Sequence, residues 1–249
     1  MTLQRPLAIC FDYGGTLVRI GYPEELLELA GEELLASLGV ALPPGRLVLG
    51  SFGQTVDQMV DRLVAEAHRR NPLREVEIVG LYQLALRQLL GRDLGRDQVE
   101  DACRVLQEPW GEAITVDPEA LPVLSGLRDR GLRLGMLSNA PYPPPTMRRT
   151  MARQGLSAKF ESIVLSSEIG WRKPAPQAFA ALLSRLGVSP ERAWFVGDEM
   201  EADLLGATAV GMTAVAAPGS PAFGSHVPAL RSWAELLALV DQSEDPAGL

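Results

Sequence analysis

Four short segments carry most of the residue types able to do chemistry in this chain. They are Asp12-Tyr13-Gly14-Gly15-Thr16-Leu17, Leu137-Ser138-Asn139, Arg172-Lys173-Pro174 and the run Val196-Gly197-Asp198-Glu199-Met200-Glu201-Ala202-Asp203. The carboxylates of Asp12, Asp198, Glu199 and Asp203 are hard oxygen donors, suited together to Mg²⁺. Gly14-Gly15 makes a turn whose backbone N–H groups can come close to an anion. Ser138 offers a hydroxyl, and Lys173 a compact positive charge, to a phosphoryl oxygen. Singly, each segment also has a structural reading. An Asp before glycines makes a turn, Ser-Asn bonds its own backbone, and acids at 199–203 favour a helix N-terminus. Their order, spacing and placement together favour the chemical reading.

These residues need a scaffold that brings them to one place. Pro6 to Asp12 reads as a strand buried on both faces, because its apolar run does not alternate. Glu24–Leu38, Gln54–Arg70, Glu75–Leu90 and Asp97–Leu106 carry helical spacing and no convincing strand between them, which predicts an inserted bundle. After Asp117-Pro118 the texture alternates. Strands are predicted at 132–137, 163–166, 193–196 and 212–216, with helices at 119–130, 146–154, 177–186, 201–210 and 232–240. Alternation of this kind predicts a doubly wound parallel sheet, a Rossmann-like α/β core. The expected domains are a core of residues 1–19 and 116–249 and a helical insertion of residues 20–115. The polar segments then fall just past strand ends, where open α/β sheets bind ligands.

Composition narrows the field. The chain has 249 residues, 47% hydrophobic and 22% charged, enough for a substantial core. Net charge is −8, and the only lysines are Lys159 and Lys173, so a nucleic-acid partner is not expected. Cys10 and Cys103 form no disulfide framework, which fits a reducing compartment. The run at 7–11 is too short for a signal core, and no apolar stretch reaches membrane length. A cytoplasmic protein is expected; oligomeric state is not readable. His68 is expected to complement a helix end, His226 to be solvated in a loop, Trp171 to flank the site or pack, and the tail from Gln242 to be loose.

The four segments, in this order, resemble the haloacid dehalogenase-like hydrolase superfamily from Pro6 to about Val240. Most members are Mg²⁺-dependent phosphatases with a helical cap between the first and second motifs. The resemblance implies that Asp12 is the nucleophile, forming an aspartyl-phosphate that water hydrolyses. It implies that Ser138 bonds the phosphoryl group, with Gly14, Gly15 and Asn139 around the substrate. Lys173 would neutralise charge and hold Asp12. Asp12, the carbonyl of Gly14, and Asp198 would bind Mg²⁺, with Asp203 or Glu199 completing the site. The implied partner is a small phosphorylated metabolite.

One position departs from the family. Its phosphatases usually carry a second Asp two residues after the nucleophile, as the acid for the leaving group; here that residue is Gly14. General acid–base assistance is worth about 10²–10⁴-fold in rate, so slow turnover, a carboxylate from elsewhere, or a good leaving group are the alternatives. So is a non-catalytic protein that only binds a phosphate ligand. Family dehalogenases work without metal and lack the acids at 198–203. Family phosphonatases need a cap lysine, and residues 20–115 contain none.

Overall fold

The computed structural model describes residues 3–40, 51–221 and 227–244. His226 and the last five residues of the tail lie outside them. The chain divides into two compact units, residues 1–19, 115–140 and 151–249, and residues 20–114 and 141–150. Residues 141–150, expected with the sheet, thus belong to the helical unit.

The first unit is built on five strands: β1 (Ala8–Phe11), β4 (Arg133–Ser138), β5 (Ser162–Leu165), β6 (Ala193–Gly197) and β7 (Thr213–Ala216). All pairings are parallel, in the order β5-β4-β1-β6-β7, so the N-terminal strand is central. Two further strands, β2 (Val18–Ile20) and β3 (Ile114–Val116), pair where the chain passes between the units. At three residues each they are too short to show a period, and the residue pattern does not predict them.

All four residues of β1 are buried, and successive side chains serve opposite faces. Ala8 and Cys10 join the cluster made with helix α8 (Pro176–Leu186), where Phe179 meets Phe195 edge-to-face at 5.2 Å. Phe11 packs on the other face against Phe160 and Trp233, the latter on α10 (Trp233–Asp241), beside α5 (Ala120–Asp129). Helices on both faces explain why the run does not alternate. Each large apolar side chain buried in this way, such as Phe11 or Phe179, contributes about 1.5–3 kcal/mol. Gly135 in β4 admits α8 closely: a Cβ there would lie 2.8 Å from Leu186.

The second unit holds α1 (Glu24–Leu38), α2 (Phe52–Arg70), α3 (Ile78–Leu90) and α4 (Arg96–Glu112). Helix α2 begins two residues earlier than its apolar period suggests. Ser51 and Gln54 form a reciprocal capping box that satisfies two N-terminal donors. Helix α3 begins three residues later than expected, capped by Glu77, which accepts from Gly80 N at 2.7 Å. The backbones of α1 and α2 touch at Gly31 and Gly53, where any Cβ would collide. Around them Leu34, Val56, Tyr82, Leu86 and Leu106 fill the core. The remaining helices are α6 (Pro144–Arg153), α7 (Ser166–Ile169) and α9 (Gly206–Ala209). No described helix is long and apolar enough to cross a membrane.

Candidate active site

The ends of the three central strands bring the quoted segments together. Asp12 follows β1, and its N–H still joins the ladder by donating to Val196 O at 2.9 Å, so its side chain leaves at the carboxyl edge. Ser138 is the last residue of β4, and Asp198 follows the last residue of β6. Lys173 comes from the loop between α7 and α8. Its Nζ donates to Asp12 Oδ1 and, at 2.7 Å, to Asp203 Oδ1. Lys173, Asp12 and Asp203 are all buried.

Two residues fix that lysine. The side-chain amide of Asn139 brackets its backbone, accepting from Lys173 N at 2.8 Å and donating to Lys173 O at 3.1 Å. Asp203 holds the ammonium with one oxygen, while its other accepts from Asp198 N at 3.1 Å and Glu199 N at 3.0 Å. Asp203 therefore ties the lysine to the loop after β6. It can do so because Gly197 has no side chain: a Cβ there would lie 2.4 Å from Asp203 Oδ2. A wide helical turn, Met200–Leu205, carries Asp203 and leads into α9. A regular helix over 201–210 is the sequence expectation. The wide turn replaces its first part, with Asp203 N and Leu204 N both donating to Glu199 O.

Asp198 is held from the first segment. Its Oδ1 accepts from Thr16 Oγ1 at 2.7 Å, and Ser220 Oγ donates to its carbonyl at 2.8 Å. Gly15 has φ +82° and lies so close to Asp198 that a Cβ would meet its Oδ2 at 2.5 Å. Neither Thr16 nor Ser220 is singled out by the residue pattern. Thr16 lies inside the first quoted segment, whereas Ser220 has no sequence signal.

Carboxylate oxygens of Asp12, Asp198 and Asp203 lie within 4.8 Å of one another, a group that could hold a metal ion. Glu199, the alternative third acid, is exposed and stands outside this group. Three acids against one ammonium leave excess negative charge, and an all-oxygen donor set favours a hard cation. In the Gly14-Gly15 turn Tyr13 O and Val18 O are the acceptors, and Gly15 N donates to Val18 O at 2.9 Å. Gly15 N–H is thereby satisfied, while the Gly14 carbonyl is unused among the described residues. Ser138 is buried, and its hydroxyl makes no hydrogen bond to any described residue.

Burial pushes the Asp12 carboxyl up to about 7, with the Lys173 charge pulling the other way. Burial also disfavours the lysine's proton, but the carboxylates of Asp12 and Asp203 outweigh it, so the Lys173 pKa is raised and the group is an ammonium. Burial lifts the Cys10 thiol to about 12, leaving it a packing residue. Trp171 packs against the core cluster beneath α8. His68 pairs with Glu75 at 2.9 Å, beyond the role in the helix dipole expected of it. Of the aromatic residues in the helical unit, Phe52 and Tyr82 are core, and Trp110 donates to Asp57.

An open parallel sheet with this acid–lysine edge, and helices inserted after its first strand, defines a class of α/β hydrolases. Residues 6–211 match the model of the haloacid dehalogenase-like hydrolases, and the chain belongs to that family. It is 30% identical over 219 residues to a phosphoglycolate phosphatase of Rhodospirillum rubrum, covering 84% of this chain and 78% of that one. It is 37% identical over 98 residues to a glyceraldehyde 3-phosphate phosphatase of Methanopyrus kandleri, 39% of this chain and 41% of the relative. This and similar matches thus span about two fifths of those relatives' length. Among solved structures, a phosphatase of the same family from Thermococcus onnurineus superposes with a TM-score of 0.60 at 26% identity, covering 95% and 98% of the two chains. A 2-haloacid dehalogenase of Pseudomonas syringae shares the fold, with a TM-score of 0.67 at 20% identity over 96% and 98%.

Proposed function

We propose that this chain is a Mg²⁺-dependent phosphatase that acts on a small phosphorylated metabolite through an aspartyl-phosphate. The observation that carries the reading is the contact of Lys173 Nζ with both Asp12 and Asp203, beside Asp198. Matches to phosphatases among the relatives support it. Asp12 attacks phosphorus in line, forming one P–O bond as the bond to the leaving oxygen breaks. Lys173 offsets the phosphoryl charge and orients Asp12, and Ser138 donates to a phosphoryl oxygen. Water then attacks the same phosphorus, releasing inorganic phosphate and restoring the Asp12 carboxylate. Asp12, Asp198 and the Gly14 carbonyl would hold Mg²⁺, with Asp203 supporting them, and the ion would supply charge neutralisation. Asn139 and Gly15 act as supports of Lys173 and Asp198, and Glu199 stays at the rim.

Gly14 supplies no acid to the leaving oxygen. Aryl or acyl phosphates, whose leaving groups need no proton, are therefore the best substrates. We take residues 20–115, joined by 141–150, as the family's cap, and the reducing cytoplasm as the setting of the two free cysteines. The test is Mg²⁺-dependent hydrolysis of p-nitrophenyl phosphate, expected in the native chain and absent in Asp12→Asn. A second reading, a non-catalytic phosphate-binding protein, is favoured by Gly14 alone. It predicts thermal stabilisation by phosphate without turnover.

A further inference from the structure

The helical unit holds a polar cluster of its own. Asp57, on α2, is buried with 4% of its surface exposed, and its Oδ1 accepts from Trp110 Nε1 at 3.0 Å. Its Oδ2 is enclosed and meets no hydrogen-bond donor among the described residues. Gln107 lies one turn before Trp110 on α4, on the same face, and is equally buried. Its amide neighbours the Tyr82 hydroxyl of α3 and has no other partner among the described residues. Enclosed polar groups of this kind are rare in folded chains and require a reason.

Their charge indicates the reason. Asp61 stands one turn beyond Asp57 on α2 and adds a second negative charge, and neither acid has a Lys, Arg or His partner among the described residues. An unpaired buried carboxylate is unfavourable unless a cation answers it. Beside it Trp110 and Tyr22 meet edge-to-face at 5.5 Å, and aromatic rings are the groups that attract organic cations. The carboxamide of Gln107 can accept a further N–H or donate to an oxygen.

We infer that Asp57, with Gln107 and Trp110, forms a binding site within the helical unit for a small organic ammonium compound. Asp57 Oδ2 accepts from the ammonium, Trp110 walls it, and Gln107 bonds a hydroxyl or a second N–H of the same ligand. This inference goes beyond the phosphatase reading and does not require it.

The test titrates ethanolamine, and separately its uncharged counterpart ethylene glycol, into the full chain. The Trp110 indole N–H resonance, assigned with Trp110→Phe, reports binding at the site. Saturable binding of ethanolamine, about tenfold or more tighter than glycol, is expected, and Asp57→Asn loses at least about tenfold of it. Asp61→Asn, at an exposed position, keeps the fold and weakens binding a few-fold. If Asp57→Asn does not fold, Asp61→Asn and Gln107→Ala carry the test, each expected to weaken ethanolamine binding. No saturation by ethanolamine, equal binding of glycol, or binding indifferent to these substitutions overturns the inference.

Discussion

Asn139 closes a two-bond bracket on the backbone of Lys173, at 2.8 Å and 3.1 Å. The second motif thus acts on the third: an amide after β4 sets where a lysine from a distant loop begins its reach toward Asp12. Asn139→Ala leaves the lysine present but unguided. Turnover is expected to fall about 10–100-fold, as for removal of other supporting groups, with little change in the Mg²⁺ concentration required. Steady-state kinetics across a Mg²⁺ titration checks this.

Asp203 and Asp198 differ in kind. Both oxygens of Asp203 are engaged by Lys173 and two backbone N–H groups, whereas Asp198 leans on Thr16. Asp198→Asn should raise the Mg²⁺ requirement about tenfold or more, and Asp203→Asn should mainly lower turnover. The opposite pattern would make Asp203 the direct metal ligand.

Gly14 and Gly15 invite opposite substitutions. Gly15 has φ +82° and no room for a Cβ, whereas Gly14 is not among the glycines with positive φ. Gly14→Asp is therefore expected to fold and to supply the family's missing acid. Hydrolysis of an alkyl phosphate should rise by about 10²–10⁴-fold, and that of an aryl phosphate far less. Gly15→Ala should destabilise the fold by about 1–3 kcal/mol, read from urea denaturation.

How far the residue pattern reaches depends on what sets each feature. The central strand is written in an apolar run without alternation, and helices α1 to α4 in apolar spacing along the chain. Features set by tertiary context are not. The β2–β3 pair is too short for a period, the start of α2 is decided by the Ser51–Gln54 capping box, and the wide turn at 200–205 depends on Asp203. At the site the segments single out the candidate residues, but not who touches whom. Asn139 reads as a substrate group, and its amide brackets the backbone of Lys173; Ser220 supports Asp198 from a loop with no motif at all.

Asp57 should leave a mark on stability. Burial first, and the Asp61 charge next, push its carboxyl up to about 6. The folded chain then keeps a proton that the unfolded chain releases near pH 4. Its contribution is fully present below about pH 4 and is lost as pH rises through about 6. Asp57→Asn, which can still accept from Trp110, is expected to flatten that slope and to raise stability near neutral pH. Urea midpoints across this window decide it; an unchanged slope would show that Asp57 does not titrate there.

The proposed chemistry stands on covalent participation of Asp12, and the phosphoenzyme can be looked for directly. The chain is mixed with an aryl phosphate and Mg²⁺, quenched in acid during the first turnovers, digested and weighed by mass spectrometry. The expected result is one phosphoryl group on the peptide bearing Asp12, discharged by hydroxylamine and missing in Asp12→Asn. Turnover with no such adduct at any quench time, or an adduct on another residue, would contradict it.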